Sequence, residues 1–273
     1  MRAASLRSFS GHAALPGGKA DNKEETPCTH FCFTLEALME EMAANRREPT
    51  DQVARREASE EIGLPEDDYG LPKPFRIEQL CCLPPSLART HLVVTPCVAF
   101  LHADRKTPGT ESPLVEDTII PRLDAREVAA VFSAPFYNFL KLKDLPTHPG
   151  QELPDGYWYD GSWLTWKEQP WRVHNFYVPV NNQKVSRPRR GSAQSNLAEK
   201  LEEEAETEGR FKVWGMTARI LVDAARVAFA EEPEMEHNLE FGDSKIIMLA
   251  QDEGWFEEVS QPEKAPEAEK GKM

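Results

Sequence analysis

The chain has 273 residues, of which 40% are hydrophobic and 29% charged, and its net charge is -14. That composition gives a globular protein with a core and disfavours unspecific binding to nucleic acid or to an anionic membrane surface. No run of about 20 apolar residues is present, as a membrane-spanning helix requires. Five cysteines without an apolar leader segment argue against a disulfide scaffold and for a reducing compartment. Residues 271–273 read Gly-Lys-Met, which is not a peroxisomal address of the Ser-Lys-Leu type.

In chain order, the first notable segment is Leu15-Pro16-Gly17-Gly18-Lys19-Ala20-Asp21. Two glycines let such a loop pass close to a ligand and expose a backbone carbonyl. Residues 28–50 follow, with Leu35, Leu38, Met39 and Met42 at amphipathic helical spacing. Cys28, His30 and Cys32 lack an evident fourth zinc ligand and read as buried or incidental. Pro49, Thr50 and Asp51 offer a further helix start, and Val53–Leu64 is predicted as a helix. On it Glu57, Glu60 and Glu61 fall at i, i+3 and i+4, so three carboxylates share one face. Like charges so placed destabilise a helix by about 0.2–0.5 kcal/mol per pair. A fold tolerates them on a solvated face or uses them to hold a hard divalent cation. Ala54, Ala58 and Ile62 are expected on the opposite, buried side, Gly63 suits the C-cap, and Pro65 blocks continuation.

Further along, 75–83 and 91–101 are predicted strands, the second interrupted by Pro96. Cys81, Cys82 and Cys97 are expected in the core of these strands. Residues 157–177 carry four of the six tryptophans and read as a packed meander of short strands, with an aromatic ligand platform as the alternative. The basic cluster of Lys184, Arg187, Arg189 and Arg190 reads as a solvated loop or an anion-binding patch. Residues 199–208 hold six Glu, and 257–273 are rich in Glu, Lys and Pro; both are expected to be solvated. Val213–Ala230 is the strongest helix, with Met216, Ile220, Ala224 and Val227 on its apolar stripe and Arg219, Asp223 and Arg226 between them. A mixed α/β or α+β sandwich follows.

The run Arg56-Glu57-Ala58-Ser59-Glu60-Glu61-Ile62-Gly63-Leu64 resembles the second half of the Nudix box, and residues 6–21 resemble the signature of the family's coenzyme A diphosphatase branch. Leu83-Pro84-Pro85, Val94-Thr95-Pro96 and 214–218 are similar to the fungal members, so the resemblance covers most of 3–256. It implies an α+β, α/β/α Nudix sandwich with a mixed sheet over 1–256, within which composition makes 184–210 a polar loop, while 257–273 reads from its composition as a disordered acidic tail. It implies hydrolysis of coenzyme A or a derivative to adenosine 3′,5′-bisphosphate and 4′-phosphopantetheine, with Mg²⁺ or Mn²⁺ as cofactor and a small molecule as the partner. Glu57 and Glu61 match metal ligands, Glu60 the third carboxylate, and the Gly18 carbonyl would complete the shell. Arg56 matches the residue that orients a Glu. Glu60 and Glu127 are the candidate general bases, Glu127 being otherwise a surface residue. Peroxisome or cytoplasm is the implied location.

The sequence departs from the family pattern in three places. Between Glu24 and Arg56 lie 31 residues, and excising the 23-residue piece 28–50 would restore the usual spacing. That piece is either a surface insertion or translated intron; long surface insertions cost little in loop entropy. Relatives carry strands before the 6–21 signature, so N-terminal strands are expected to be missing. Phe9 and His12 stand where relatives carry His and Gln or Glu. Other nucleoside diphosphate derivatives, such as an oxidised nucleotide, and an inactive scaffold that only binds remain alternative readings.

Overall fold

The computed structural model describes residues 1–2, 12–19, 49–88, 90–103, 119, 123–124, 126–146, 150–166, 168–180, 183, 185 and 209–255. Nearly all of the 28–50 piece, the basic cluster, the 199–208 acidic run and the 257–273 tail lie outside them, as do Phe9, Cys28, His30 and Cys32.

In order come α1 (Thr50–Ile62), β1 (Phe75–Cys82), β2 (Ser86–Leu87), β3 (Val93–Val94), β4 (Cys97–Ala103), a 3-10 turn (Phe136–Leu140), β5 (Tyr159–Trp166), β6 (Gln169–Pro179), β7 (Arg210–Trp214), α2 (Gly215–Phe229) and α3 (Ser244–Asp252). The class is α+β. β1 pairs with β4, β2 with β3, and β5, β6 and β7 form a three-stranded sheet in that order. Every one of these pairings is antiparallel, so the described strands do not display the parallel pairs that a mixed sheet requires.

α1 starts three residues earlier than the apolar period indicates. Val53 N–H donates to the Pro49 carbonyl at 3.0 Å, so the helix is entered from the proline. It ends at Gly63, whose φ of 72° is left-handed and cheap only for glycine. Val53 and Ala58 are its buried positions, whereas Ala54 and Ile62, expected on the buried side, are only half-buried. Arg55 fastens the next turn by donating to the Pro65 and Glu66 carbonyls.

The predicted strand 91–101 is split. Val93–Val94 and Cys97–Ala103 are separate strands because Pro96 has no N–H to continue a ladder. The aromatic stretch is one long hairpin rather than several short strands. Trp158 is buried beside Phe176 and Phe139 and donates its ring N–H to the Asn138 and Lys141 carbonyls. Trp166 and Trp171 stack near the hairpin end at 5.0 Å.

The strongest predicted helix begins at Gly215, because Val213 and Trp214 belong to β7. Its inner surface is also broader than the stripe read from sequence. Ala218, Val222 and Ala225 join Phe139, Trp158, Phe176, Val178 and Val213 in the main core, while Ile220 and Ala224 pack on Leu83. Val227 is 51% exposed, whereas Arg219, Asp223 and Arg226 are buried. Charges survive burial when they are paired and hydrogen-bonded. Arg219 pairs with Asp243 at 2.6 Å, Arg226 pairs with Glu232 at 2.9 Å, and Asp223 accepts from the Gly242 N–H at 3.0 Å. These bonds pin residues 232–243 across α2.

The expectation of three core cysteines is corrected. Cys81 and Cys82 are exposed and Cys97 is half-buried. Most of β1 is exposed, so the apolar run does not mark a covered strand here.

Candidate active site

The glycine loop is anchored from within the core. Ala13 is buried in the main cluster, the Thr217 hydroxyl donates to its carbonyl at 3.4 Å, and the His12 ring meets Trp214 edge-on at 5.1 Å. Arg2 N–H donates to the His12 carbonyl, and Arg2 bridges to Val128. These ties aim residues 14–19 at α1.

The approach is close. A Cβ on Gly18 would stand 2.2 Å from Glu57 Oε1 and 2.4 Å from its Cδ. Only glycine lets the loop and this carboxylate occupy these positions. Arg56 clasps the two sides, since its Nη2 donates to the Lys19 carbonyl at 3.0 Å and its Nη1 to Glu57 Oε1 at 3.0 Å and Glu60 Oε1 at 3.3 Å. One guanidinium thereby neutralises part of the repulsion on the acidic face and closes a sequence gap of 37 residues.

Glu61 faces the other side of the loop. Burial pushes its carboxyl up to about 7; the nearby Glu127 and Glu57 charges act in the same direction, while the Gly17 N–H, which donates to it, and Arg2 oppose the shift. Glu127 reaches this position because the Asp124 N–H donates to the Glu61 carbonyl at 3.0 Å and the chain then turns, with Glu127 N–H donating to the Asp124 carbonyl. Glu61 and Glu127 border a cavity of about 270 Å³ whose walls include Leu15, Pro16, Phe132, Phe136 and Leu221. It is largely apolar, with the Glu61 and Glu127 carboxylates and Arg2 among its lining, a combination that suits an extended ligand carrying both apolar and charged parts.

Arg56, Glu57, Glu61 and Gly18 are therefore brought together. Glu60 is 60% exposed and held by Arg56. The donor set is oxygen throughout, which suits Mg²⁺ or Mn²⁺. Among the described residues, no three acidic, histidine or cysteine side chains converge on one point in the manner of a metal centre. The Gly17 N–H, the Lys19 carbonyl and Arg2 carried no sequence signal, because backbone groups and distant partners have no motif of their own.

A glycine loop clasped to an acidic helix beside a largely apolar cavity defines an α+β protein with a candidate site for a charged small molecule. No family model matches the chain. It is 30% identical to peroxisomal coenzyme A diphosphatase 1 of Saccharomyces cerevisiae over 246 residues, covering 83% of this chain and 62% of that one. It is 24% identical to Nudix hydrolase 22, chloroplastic, of Arabidopsis thaliana over 262 residues, covering 95% of this chain and 59% of that one. The chain thus spans about three-fifths of the length of these curated relatives. Over most of its length the chain is similar to a named Nudix hydrolase and to a coenzyme A diphosphatase.

Proposed function

We propose that this chain is a metal-dependent diphosphatase that hydrolyses coenzyme A or a derivative to adenosine 3′,5′-bisphosphate and 4′-phosphopantetheine. The observation that carries the reading is the contact of Gly18 with Glu57, clasped by Arg56 across the long intervening segment. The yeast relative is named for coenzyme A. Glu57 and Glu61, with Glu60 and the Gly18 carbonyl, would hold Mg²⁺ or Mn²⁺. A bound divalent ion supplies charge neutralisation at the diphosphate and polarisation of the attacking water. Arg56 fixes the rotamer of Glu57 and the height of the loop. Glu127, exposed like Glu60, borders the same cavity as Glu61, whereas Glu60 does not line it and is held by Arg56, which favours Glu127 as the group that takes the proton from water. The cavity walls receive the apolar part of the substrate. Peroxisome or cytoplasm is the corresponding location; among the described residues no helix is long and apolar enough to cross a membrane.

A second reading, a scaffold that binds without turnover, is favoured by the pairing of Arg56 with Glu57 and Glu60 and by the lack of a converged trio of ligands among the described residues. One assay separates the two. Full-length protein is incubated with coenzyme A and Mg²⁺ or Mn²⁺, and the two products are followed by chromatography. The diphosphatase reading expects turnover that Glu61→Gln abolishes. Its absence from the intact chain, with turnover after deletion of 28–50, supports the scaffold; activity that persists in Glu61→Gln removes Glu61 from the metal site.

A further inference from the structure

We propose that Cys82 and Cys97 are a site of reversible disulfide formation, made by a hydroperoxide and reopened by a dithiol. The two residues are cross-strand partners on β1 and β4. At the adjacent pair, the Leu83 N–H donates to the Pro96 carbonyl at 2.8 Å. Hydrogen-bonded and non-hydrogen-bonded pairs alternate along an antiparallel ladder, so Cys82 and Cys97 occupy a non-hydrogen-bonded pair, with Cα atoms about 4.5 Å apart. That separation lies within the range a disulfide spans. Their sulfurs are already 3.3 Å apart. Side-chain rotation closes the remaining gap of about 1.3 Å to a bond without moving the strands.

The two thiols differ in setting. Cys82 is exposed, so an oxidant reaches it. Cys97 is half-buried, and burial, the hydrogen bond with Cys82 and the Asp51 carboxylate push its thiol up to about 12. It therefore stays protonated and leaves the peroxide to Cys82; once Cys82 is a sulfenic acid its contribution to that rise is gone, and the adjacent Cys97 sulfur is the one placed to resolve it. The Cys82 thiolate attacks one peroxide oxygen, the O–O bond breaks, and the departing hydroxide takes a proton to become water. Cys82 is left as a sulfenic acid and the peroxide has gained two electrons. The Cys97 sulfur then attacks the Cys82 sulfur, and its proton leaves with the sulfenic oxygen as a second water. Two thiols and one hydrogen peroxide thus give one disulfide and two waters. Cys81 sits opposite Val98 rather than a thiol.

The test uses the reduced full-length chain, treated with equimolar hydrogen peroxide, alkylated and digested with trypsin without reduction. Cleavage separates 77–89, with Cys81 and Cys82, from 90–105, with Cys97. The expected product joins these peptides with the loss of two hydrogens. It vanishes on dithiothreitol treatment and in Cys82→Ser and Cys97→Ser, and it persists in Cys81→Ser. A cross-link that persists in Cys82→Ser, a link from Cys82 to Cys81, Cys28 or Cys32, or conversion of Cys82 to a sulfinic acid with Cys97 still free overturns the proposal.

Discussion

Gly18→Ala is the sharpest test of how the loop meets the helix. The new methyl would lie 2.2–2.5 Å from all three atoms of the Glu57 carboxylate group. Ordinary carbon contacts begin near 3.4 Å, so the carboxylate or the loop must retreat by about 1 Å. The obstacle is the end of a side chain rather than backbone, although that side chain is only 12% exposed and paired with Arg56, so the fold yields and we expect a stability loss of about 1 kcal/mol. The site is less forgiving, because metal–ligand distances tolerate only about 0.2 Å and a misplacement of about 1 Å costs on the order of 100-fold in rate. Gly17→Ala is the matched control. A Cβ there has nothing within 4 Å, and the N–H that Glu61 accepts is retained. Steady-state hydrolysis of coenzyme A, Mg²⁺ or Mn²⁺ titration and thermal melting are compared for the three proteins. Gly18→Ala should melt near the parent temperature with activity reduced about 100-fold, and Gly17→Ala should match the parent in both. A Gly18→Ala protein within about threefold of the parent rate would refute the claim that this contact shapes the site.

Arg56→Lys should lower activity at least tenfold with little change in stability, because a single ammonium cannot bridge Lys19, Glu57 and Glu60 as the planar guanidinium does; kinetics and melting of the purified variant check this. Burial, with the nearby Arg172, Arg219 and His237 charges, lowers His174 to about 3. The unfolded chain binds this proton and the folded one does not between pH 6.5 and 3, so this contribution to stability is complete above pH 6.5 and is lost as pH falls through that window. The loss between pH 7 and 4.5 is on the order of 2–3 kcal/mol; urea unfolding at both pH values should show it in the parent and not in His174→Gln. Gly242→Ala places a Cβ 2.7 Å from the Pro85 carbonyl at a φ of 62° and should cost about 3 kcal/mol. Gly215→Ala, at a φ of 63° with nothing within 4 Å, should cost only about 1 kcal/mol. Denaturant curves separate the two.

Much of the candidate site was legible because its helix is a local object. The period of Glu57, Glu60 and Glu61, the stop at Gly63 and the loop chemistry of Gly17 and Gly18 depend on neighbours a turn away. The burial of Arg219, Asp223 and Arg226 was not legible, because charged side chains on an amphipathic helix read as solvated until a partner segment supplies opposite charge. Here that segment carries Glu232, Gly242 and Asp243. Cys81 and Cys82 misled in the opposite direction, since an apolar strand is core only if another layer covers it.

The sequence by itself determined α1 and its C-cap, strand β1, the break at Pro96 and nearly all of α2, because helix period, capping and proline's missing N–H act over a few residues. The tertiary structure alone decided that the glycine loop reaches the acidic helix, that Glu127 stands beside Glu61, and that Cys82 faces Cys97. Each is a meeting of segments far apart in the chain, set by the core that holds Ala13, by the hydrogen bond from Asp124 to Glu61 and by the β1–β4 register. Local residue preferences do not encode such meetings; the packing that brings the segments together does.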